Sequence, residues 1–176
     1  RFMVDIKSDG ITLQNYPTID EYRASEVVIE NLKVSKDNIL GSIDGSYEAI
    51  EEQIDLSTIA VCSEAVGILQ VLKDSTNDYC KNRKQFGQPI GANQVIKHRL
   101  VDMMIEYEQA KSILYMAVTA DLSNPIERRK AASAAKARIG KAIKFVGENA
   151  IQLHGGMGVV DELSLIHISE PTRLHV

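Results

Sequence analysis

Hydrophobic and polar positions change period once along this chain. From Arg1 to Leu40 the signals are strand-like: Phe2–Ile6, Ile11–Gln14 and Glu26–Glu30 carry short apolar runs. Asp9-Gly10 supplies a turn between the first two and predicts a hairpin there, and Asn31–Val34 extends the third strand. Three strands cannot close a barrel, so this portion reads as the end of a larger β domain, joined near Gly41 to Gly45 to a helical portion. From Ser46 the period is helical. Ile50, Ile54, Val61, Ala65, Ile68 and Leu72 mark one buried stripe of a first helix running to about Arg83, which Gly87 and Pro89 stop.

A second helix is predicted from Asn93 to Ala120, on Ile96, Leu100, Met103, Met104, Tyr107, Ile113, Leu114 and Ala117, with the methionines as core filler. The third announces its start. Asn124 is a good N-cap, Pro125 fits the first helical position, and Glu127 is placed to complete a capping box. Ala131, Ala135, Ile139, Ala142, Val146, Ala150 and Leu153 form its stripe, while Gly140 and Gly147 permit close helix approach. Gly155, Gly156 and Gly158 end it, and Asp161 would cap a fourth. The fold class is therefore mainly α: a C-terminal four-helix bundle, three helices and a truncated fourth, preceded by the last strands of a β domain. The divisions are 1–43 for the β part, 44–162 for the bundle and 163–176 for a foreign tail. Leu163–Arg173 matches the translation of a transposase adaptor used in sequencing libraries, and the chain starts mid-strand, so a fragment cut at both ends is expected.

Composition narrows the partners. In 176 residues, 44% are hydrophobic, enough for a core, and the net charge of −4 argues against nucleic acid. No apolar run approaching the ~20 residues of a membrane span is read, so no membrane partner is expected. Cys62 and Cys80 fall in one helical pattern, about 27 Å apart at the helical rise, and cannot bridge while that helix stands. Idle thiols in a reducing compartment are the expectation. A metal-binding bundle would need inward Glu-x-x-His pairs, and that spacing does not occur.

Two short motifs carry the candidate chemistry: Arg83-Lys-Gln-Phe-Gly87 and Gln152-Leu-His-Gly-Gly156. Each follows a long helical pattern. An arginine leaving a helix and a glycine pair open to close backbone approach suit a pyrophosphate ligand. Alone, Arg83 is also a helix-terminal cation favouring the macrodipole, and His-Gly-Gly is also a C-cap. His154 reads as a packing residue and His98 as a surface one. Lys130, Lys136, Arg138, Lys141 and Lys144 make the third helix basic, either as a solvated face or as a contact for an acidic ligand or subunit.

Together, with the helices between them, these motifs resemble the C-terminal half of an acyl-CoA dehydrogenase, over residues 1 to about 162. The resemblance implies FAD as cofactor, lying between a β domain and the bundle and reaching a neighbouring subunit. It assigns Arg83 to the flavin pyrophosphate, Gln85, Phe86 and Gln94 to the same site, and Gln152, Gly155 and Gly156 to the ADP half. It places Asp55 and Thr58 toward the CoA part of an acyl-CoA substrate, although Thr58 stands where many members have arginine. The catalytic base, a glutamate, would fall beyond the native end or at Ser57, where serine cannot serve, so no catalytic residue is named; Glu48, Glu51, Glu52 and Glu64 read only as charged helix residues.

What the resemblance implies for function is an FAD-dependent oxidoreductase acting on CH–CH groups, converting an acyl-CoA thioester to the trans-2-enoyl-CoA. The fragment itself is expected to be inactive. Electron-transfer flavoprotein would be the redox partner, with homo- or hetero-oligomerisation through the bundle and a bacterial cytoplasmic setting. Cys62–Gly67, Glu127-Arg-Arg129 with Ser133–Lys136, and Gly158 with Asp161-Glu-Leu163 resemble a bacterial subgroup that includes pimeloyl-CoA dehydrogenase small subunits. The alternative is thus a non-catalytic small subunit or helical interaction module of a heteromeric dehydrogenase.

Overall fold

A computed structural model describes residues 1–18, 22–42 and 45–159. The expected cap at Asp161, the fourth helix and the foreign tail lie outside these residues. Contacts divide the chain into two compact units, Arg1–Gln53 and Ile54–Val176.

The first unit holds one antiparallel pair, β1 (Ile11–Pro17) and β2 (Arg23–Ile29), in the register Ile11 to Ile29 and Pro17 to Arg23. The hairpin is therefore closed at Thr18 to Tyr22, where Thr18 N donates to the Tyr22 carbonyl at 2.9 Å, and not at Asp9-Gly10. Gly10, at φ +95°, instead opens β1 against Glu30, whose N–H donates to the Gly10 carbonyl at 2.8 Å. A side chain at residue 10 would collide with the Glu30 carbonyl, so glycine is required. The expected strand Phe2–Ile6 does not form: Phe2 makes a single bridge to Ile39, and Met3 exchanges bonds with Asn38, a partner distant in sequence. Asn31 takes φ 53°, so Asn31–Val34 does not prolong β2.

Helix α1 spans Tyr47–Asn82, α2 Gln94–Thr119 and α3 Pro125–His154. Between α1 and α2 a minimal hairpin pairs β3 (Lys84–Gln85) with β4 (Gln88–Pro89). Cross-helix bonds fix the directions. Gln70 meets Tyr107, and Arg138 and Arg99 of α3 and α2 meet Glu106 and Asn149, so α2 runs antiparallel to both neighbours. Asp55 meets Arg128 and Tyr79 meets His154, so α1 and α3 run the same way. The end of α1, the start of α2 and the end of α3 consequently share one end of the bundle.

The stripe expected on α3 is buried in full. On α2, Met103, Tyr107, Leu114 and Ala117 are buried as expected, while Met104 is 55% exposed. On α1 the expected stripe holds in its second half, where Ala65 and Leu72 are buried and Ile68 packs against the core, whereas Ile50, Ile54 and Val61 are exposed and Ile59, Cys62, Val66 and Leu69 are buried instead. The helix is apolar on two faces, so periodicity fits either stripe and packing selects one. That double apolarity also makes α1 the one helix, among the described residues, long and apolar enough by composition to cross a membrane. The expectation that no such run occurs is corrected. Its buried stripe and inward-facing Asp55 assign it to the bundle core.

Asn124 caps α3 through its side-chain oxygen, which accepts from Ile126 N at 3.0 Å and Glu127 N at 3.4 Å. The reciprocal half of the box is not made, because the Asn124 N–H donates to the Asp121 carbonyl and Glu127 pairs with Lys130. Ahead of the cap, the Ser123 hydroxyl and amide donate to the Asp121 carboxylate, holding it below the usual carboxylate range.

Candidate functional site: a basic hairpin beside a glycine turn

α1 ends where Arg83 N still donates to the Tyr79 carbonyl at 2.8 Å, and the chain then reverses over four residues. Phe86 at φ 53° and Gly87 at φ 82° form the turn, a pair of positive φ values that the tightest β-hairpins require. Phenylalanine is an expensive residue there, since a Cβ crowds the carbonyl in the left-handed region. It is also fully exposed, at 100%. A large aromatic held in a strained tip with nothing covering it is open to contact from outside the chain.

Arg83, Lys84 and Gln85 are exposed alongside it. Arg83 and Lys84 have no side-chain partner among the described residues. Lys97 and Arg99 in the first turns of α2 add to the positive charge at this end. The ion pair Lys81–Asp78, at 3.8 Å and exposed, offsets little of it. Gln94 is the first residue of α2 and is exposed. The hairpin is seated by Ile90 N donating to the Arg83 carbonyl at 2.8 Å, and by Gly91, where a Cβ would come within 2.9 Å of the Cys80 carbonyl.

The second motif closes α3 at the same end. Gly155, at φ 61°, reverses the chain, and its N–H donates back to the Gln152 and Ile151 carbonyls. Gln152, Gly155 and Gly156 are exposed, and a Cβ at either glycine would meet nothing within 4 Å. These two are therefore open, not packed. Gly158 differs: a Cβ there would lie 2.7 Å from the Ile151 carbonyl, so the 3-10 turn Gly155–Val159 folds back onto α3. Tyr79 joins the two motifs. Its ring stacks on His154 at 4.3 Å between centroids and 30°, and its hydroxyl donates to the His154 carbonyl at 3.4 Å. His154 is buried and packed, and His98 is exposed, as the sequence implies.

Asp55 and Thr58 lie elsewhere, about 40 Å along α1 from Arg83 at the helical rise. The structure turns Asp55 inward. Its carboxylate accepts from Arg128 Nε at 3.4 Å, and Arg128, 4% exposed, also donates to the Leu122 carbonyl at 2.9 Å. Two charges removed from water must satisfy each other, so Asp55 is engaged by Arg128 within the bundle. Thr58 donates to the Ile54 carbonyl at 2.8 Å, one turn back on its own helix. Ser57, Glu48, Glu52 and Glu64 are exposed. A groove of about 660 Å³ runs along α2 between Val101 and Met116, away from both motifs, and its Arg138 is engaged by Glu106 and Gln109.

Sequence reasoning missed the roles of Tyr79, Gly91 and Arg128, and read Gly158 only as part of the helix end. Tyr79 had a signal, an aromatic one turn before the arginine. Arg128 had none, being one cation in a basic run.

An unpaired guanidinium, side-chain amides and an open glycine turn gathered at one end form a donor set suited to a diphosphate-bearing ligand. Residues 45–175 match the family model for the acyl-CoA dehydrogenase C-terminal domain. The chain is 30% identical over 176 residues to the caffeyl-CoA reductase-Etf complex subunit CarC of Acetobacterium woodii, covering 98% of the chain and 46% of that protein. Among solved structures, butyryl-CoA dehydrogenase from Megasphaera elsdenii is similar with a TM-score of 0.85 and 25% identity, covering 99% of this chain and 47% of that one. PigA with FAD and proline is similar with a TM-score of 0.86 and 25% identity, again over 99% and 47%. The chain thus spans about half the length of the proteins it matches.

Proposed function

Since the chain belongs to the acyl-CoA dehydrogenase family, through that family's C-terminal domain, we propose that it supplies the helical bundle of a flavin-dependent acyl-CoA dehydrogenase, with FAD bound at the shared end of its three helices. The observation that carries this reading is the exposed, unpaired Arg83 beside the open Gly155–Gly156 turn, the two motifs held together through Tyr79 and His154. Bound FAD would supply the two-electron acceptor for α,β-dehydrogenation of an acyl-CoA thioester to the trans-2-enoyl-CoA.

Arg83 would grip the diphosphate, because a guanidinium stays charged and presents paired N–H donors to two oxygens. Gly155 and Gly156 let backbone amides approach those oxygens without a Cβ in the way. Gln85, Gln94 and Gln152 offer amides that both donate and accept, as a ribose or adenine edge requires. Phe86 gives an apolar surface for a ring or for a neighbouring subunit. Electron-transfer flavoprotein is the proposed redox partner, supported by the Etf complex named for the Acetobacterium relative. Assembly into a homo- or hetero-oligomer is supported by the fully exposed Phe86, a surface that a neighbouring subunit would cover.

The test is titration of the chain with FAD, followed by flavin fluorescence anisotropy. Binding should saturate, and Arg83→Ala should weaken it by about tenfold or more, the worth of a charged hydrogen bond. Arg83→Lys should recover only part. Equal affinity for the wild type and Arg83→Ala would sink the assignment. The chain alone should not reduce an electron-accepting dye when given acyl-CoA.

A further inference from the structure

Arg83 and the Gly155–Gly156 turn stand on different helices, so their separation must be set by something between them. No exposed residue of either motif does this. The link is one layer behind. The Tyr79 carbonyl accepts from Arg83 N at 2.8 Å, and the Tyr79 ring stacks on His154 at 4.3 Å. His154 is followed directly by Gly155.

His154 is itself fixed from two further sides. Its Nδ1 lies 2.8 Å from the Ala150 carbonyl, which can only accept, so Nδ1 carries the hydrogen and the ring is pinned to the last turn of α3. The 3-10 turn closes over it, with Gly158 so near that a Cβ there would lie 3.1 Å from His154 Cβ. The ring cannot slide along α3 or swing away from it. Tyr79 adds the bond from its hydroxyl to the His154 carbonyl, the peptide oxygen that leads into the glycine turn.

We infer that Tyr79 and His154 are positioning residues for the diphosphate ligand: their stack sets the gap between the Arg83 guanidinium and the Gly155–Gly156 backbone, while neither touches the ligand. The inference rests on the cofactor reading above. It differs from ordinary core packing in one consequence. A packing residue contributes to folding whatever Arg83 is, whereas a positioning residue loses its effect on binding once there is no arginine to position.

The experiment titrates FAD into the full chain and its variants, reading anisotropy together with the amide chemical shifts of Arg83, Gly155 and Gly156. Urea midpoints are recorded so that affinity is compared on folded protein. Tyr79→Leu and His154→Leu should each weaken binding by about tenfold, the upper range for an aromatic pair. Tyr79→Phe keeps the ring and should stay within about twofold. In an Arg83→Ala background, Tyr79→Leu should add less than about twofold. If Tyr79→Leu does not fold, Tyr79→Met takes its place. Unchanged affinity in the leucine variants overturns the inference, and so does a full tenfold loss that persists without Arg83. Absence of FAD binding by the unsubstituted chain overturns the cofactor reading and this inference with it.

Discussion

Phe86 sets two demands against each other at one residue. Its φ of 53° strains an L side chain, and its full exposure gains the isolated chain no burial in return. Asparagine tolerates that conformation and is the favoured partner of glycine in such a turn. Phe86→Asn should therefore stabilise the chain by about 1 kcal/mol, visible as a higher melting temperature, while weakening FAD binding. A melting temperature that falls would mean that the phenylalanine is held by contacts within the chain. The two thiols make a second test at this scale. Burial pushes both above their ordinary value of 9.0, for Cys62 against a smaller opposing effect of the Lys136 charge. In the unfolded chain they ionise first, so the folded state keeps its protons longer. The stability they contribute is complete below pH 9.0 and is lost as pH rises through the folded values. Reaction with a thiol-specific disulfide reagent at pH 8 should be slow in the folded chain and fast in urea.

At the level of elements, the start of α3 depends on one side chain. Asn124 satisfies two amides that the helix cannot, and Glu127 does not return the bond. Asn124→Ala should cost about 1 kcal/mol in urea unfolding with an unchanged slope, more than Glu127→Ala, which removes only the exposed Lys130 pair. Local chemistry of this kind was legible: the ends of all three helices lie within a residue or so of those expected, because caps, prolines and glycines act on their neighbours. The buried face of α3 was legible too, since polar residues occupy its other sides. The face of α1 was legible only at Ala65, Ile68 and Leu72, because two apolar stripes compete and only α2 and α3 decide between them. The strand at Phe2–Ile6 failed for a related reason. Its backbone partner, Asn38, lies far along the chain, and no local pattern announces it. In the site the exposed motifs could be read from the sequence, whereas Tyr79–His154 and Asp55–Arg128 join residues on different helices and could not.

Across the helical unit, the proposed cofactor site and the buried Asp55–Arg128 pair lie at opposite ends. The Arg83 end gathers exposed, unpaired donors over a layer in which Tyr79 stacks on His154. The Asp55 end contains a charge pair whose side chains are only 12% and 5% exposed, tying α1 to the first turn of α3 and, through Leu122, to the α2–α3 connection. Breaking such a pair from one side strands the other charge, at about 3–5 kcal/mol, whereas replacing both partners by apolar groups is close to neutral. Arg128→Met should accordingly lower the urea midpoint steeply, and Asp55→Leu with Arg128→Met should recover most of the loss. The same double variant should bind FAD as the wild type does, because about 40 Å of helix separates it from Arg83. Arg83→Ala should behave in the opposite way, losing FAD at an unchanged midpoint. Combined, the two sets of changes should add to within about 0.5 kcal/mol in both folding and binding, as independent sites do. If the Asp55→Leu/Arg128→Met chain, still folded by its urea curve, lost FAD binding to the extent that Arg83→Ala does, the cofactor could not be confined to the Arg83 end. Asp55 and Arg128 would then belong to the site, and the division of labour along α1 would be wrong.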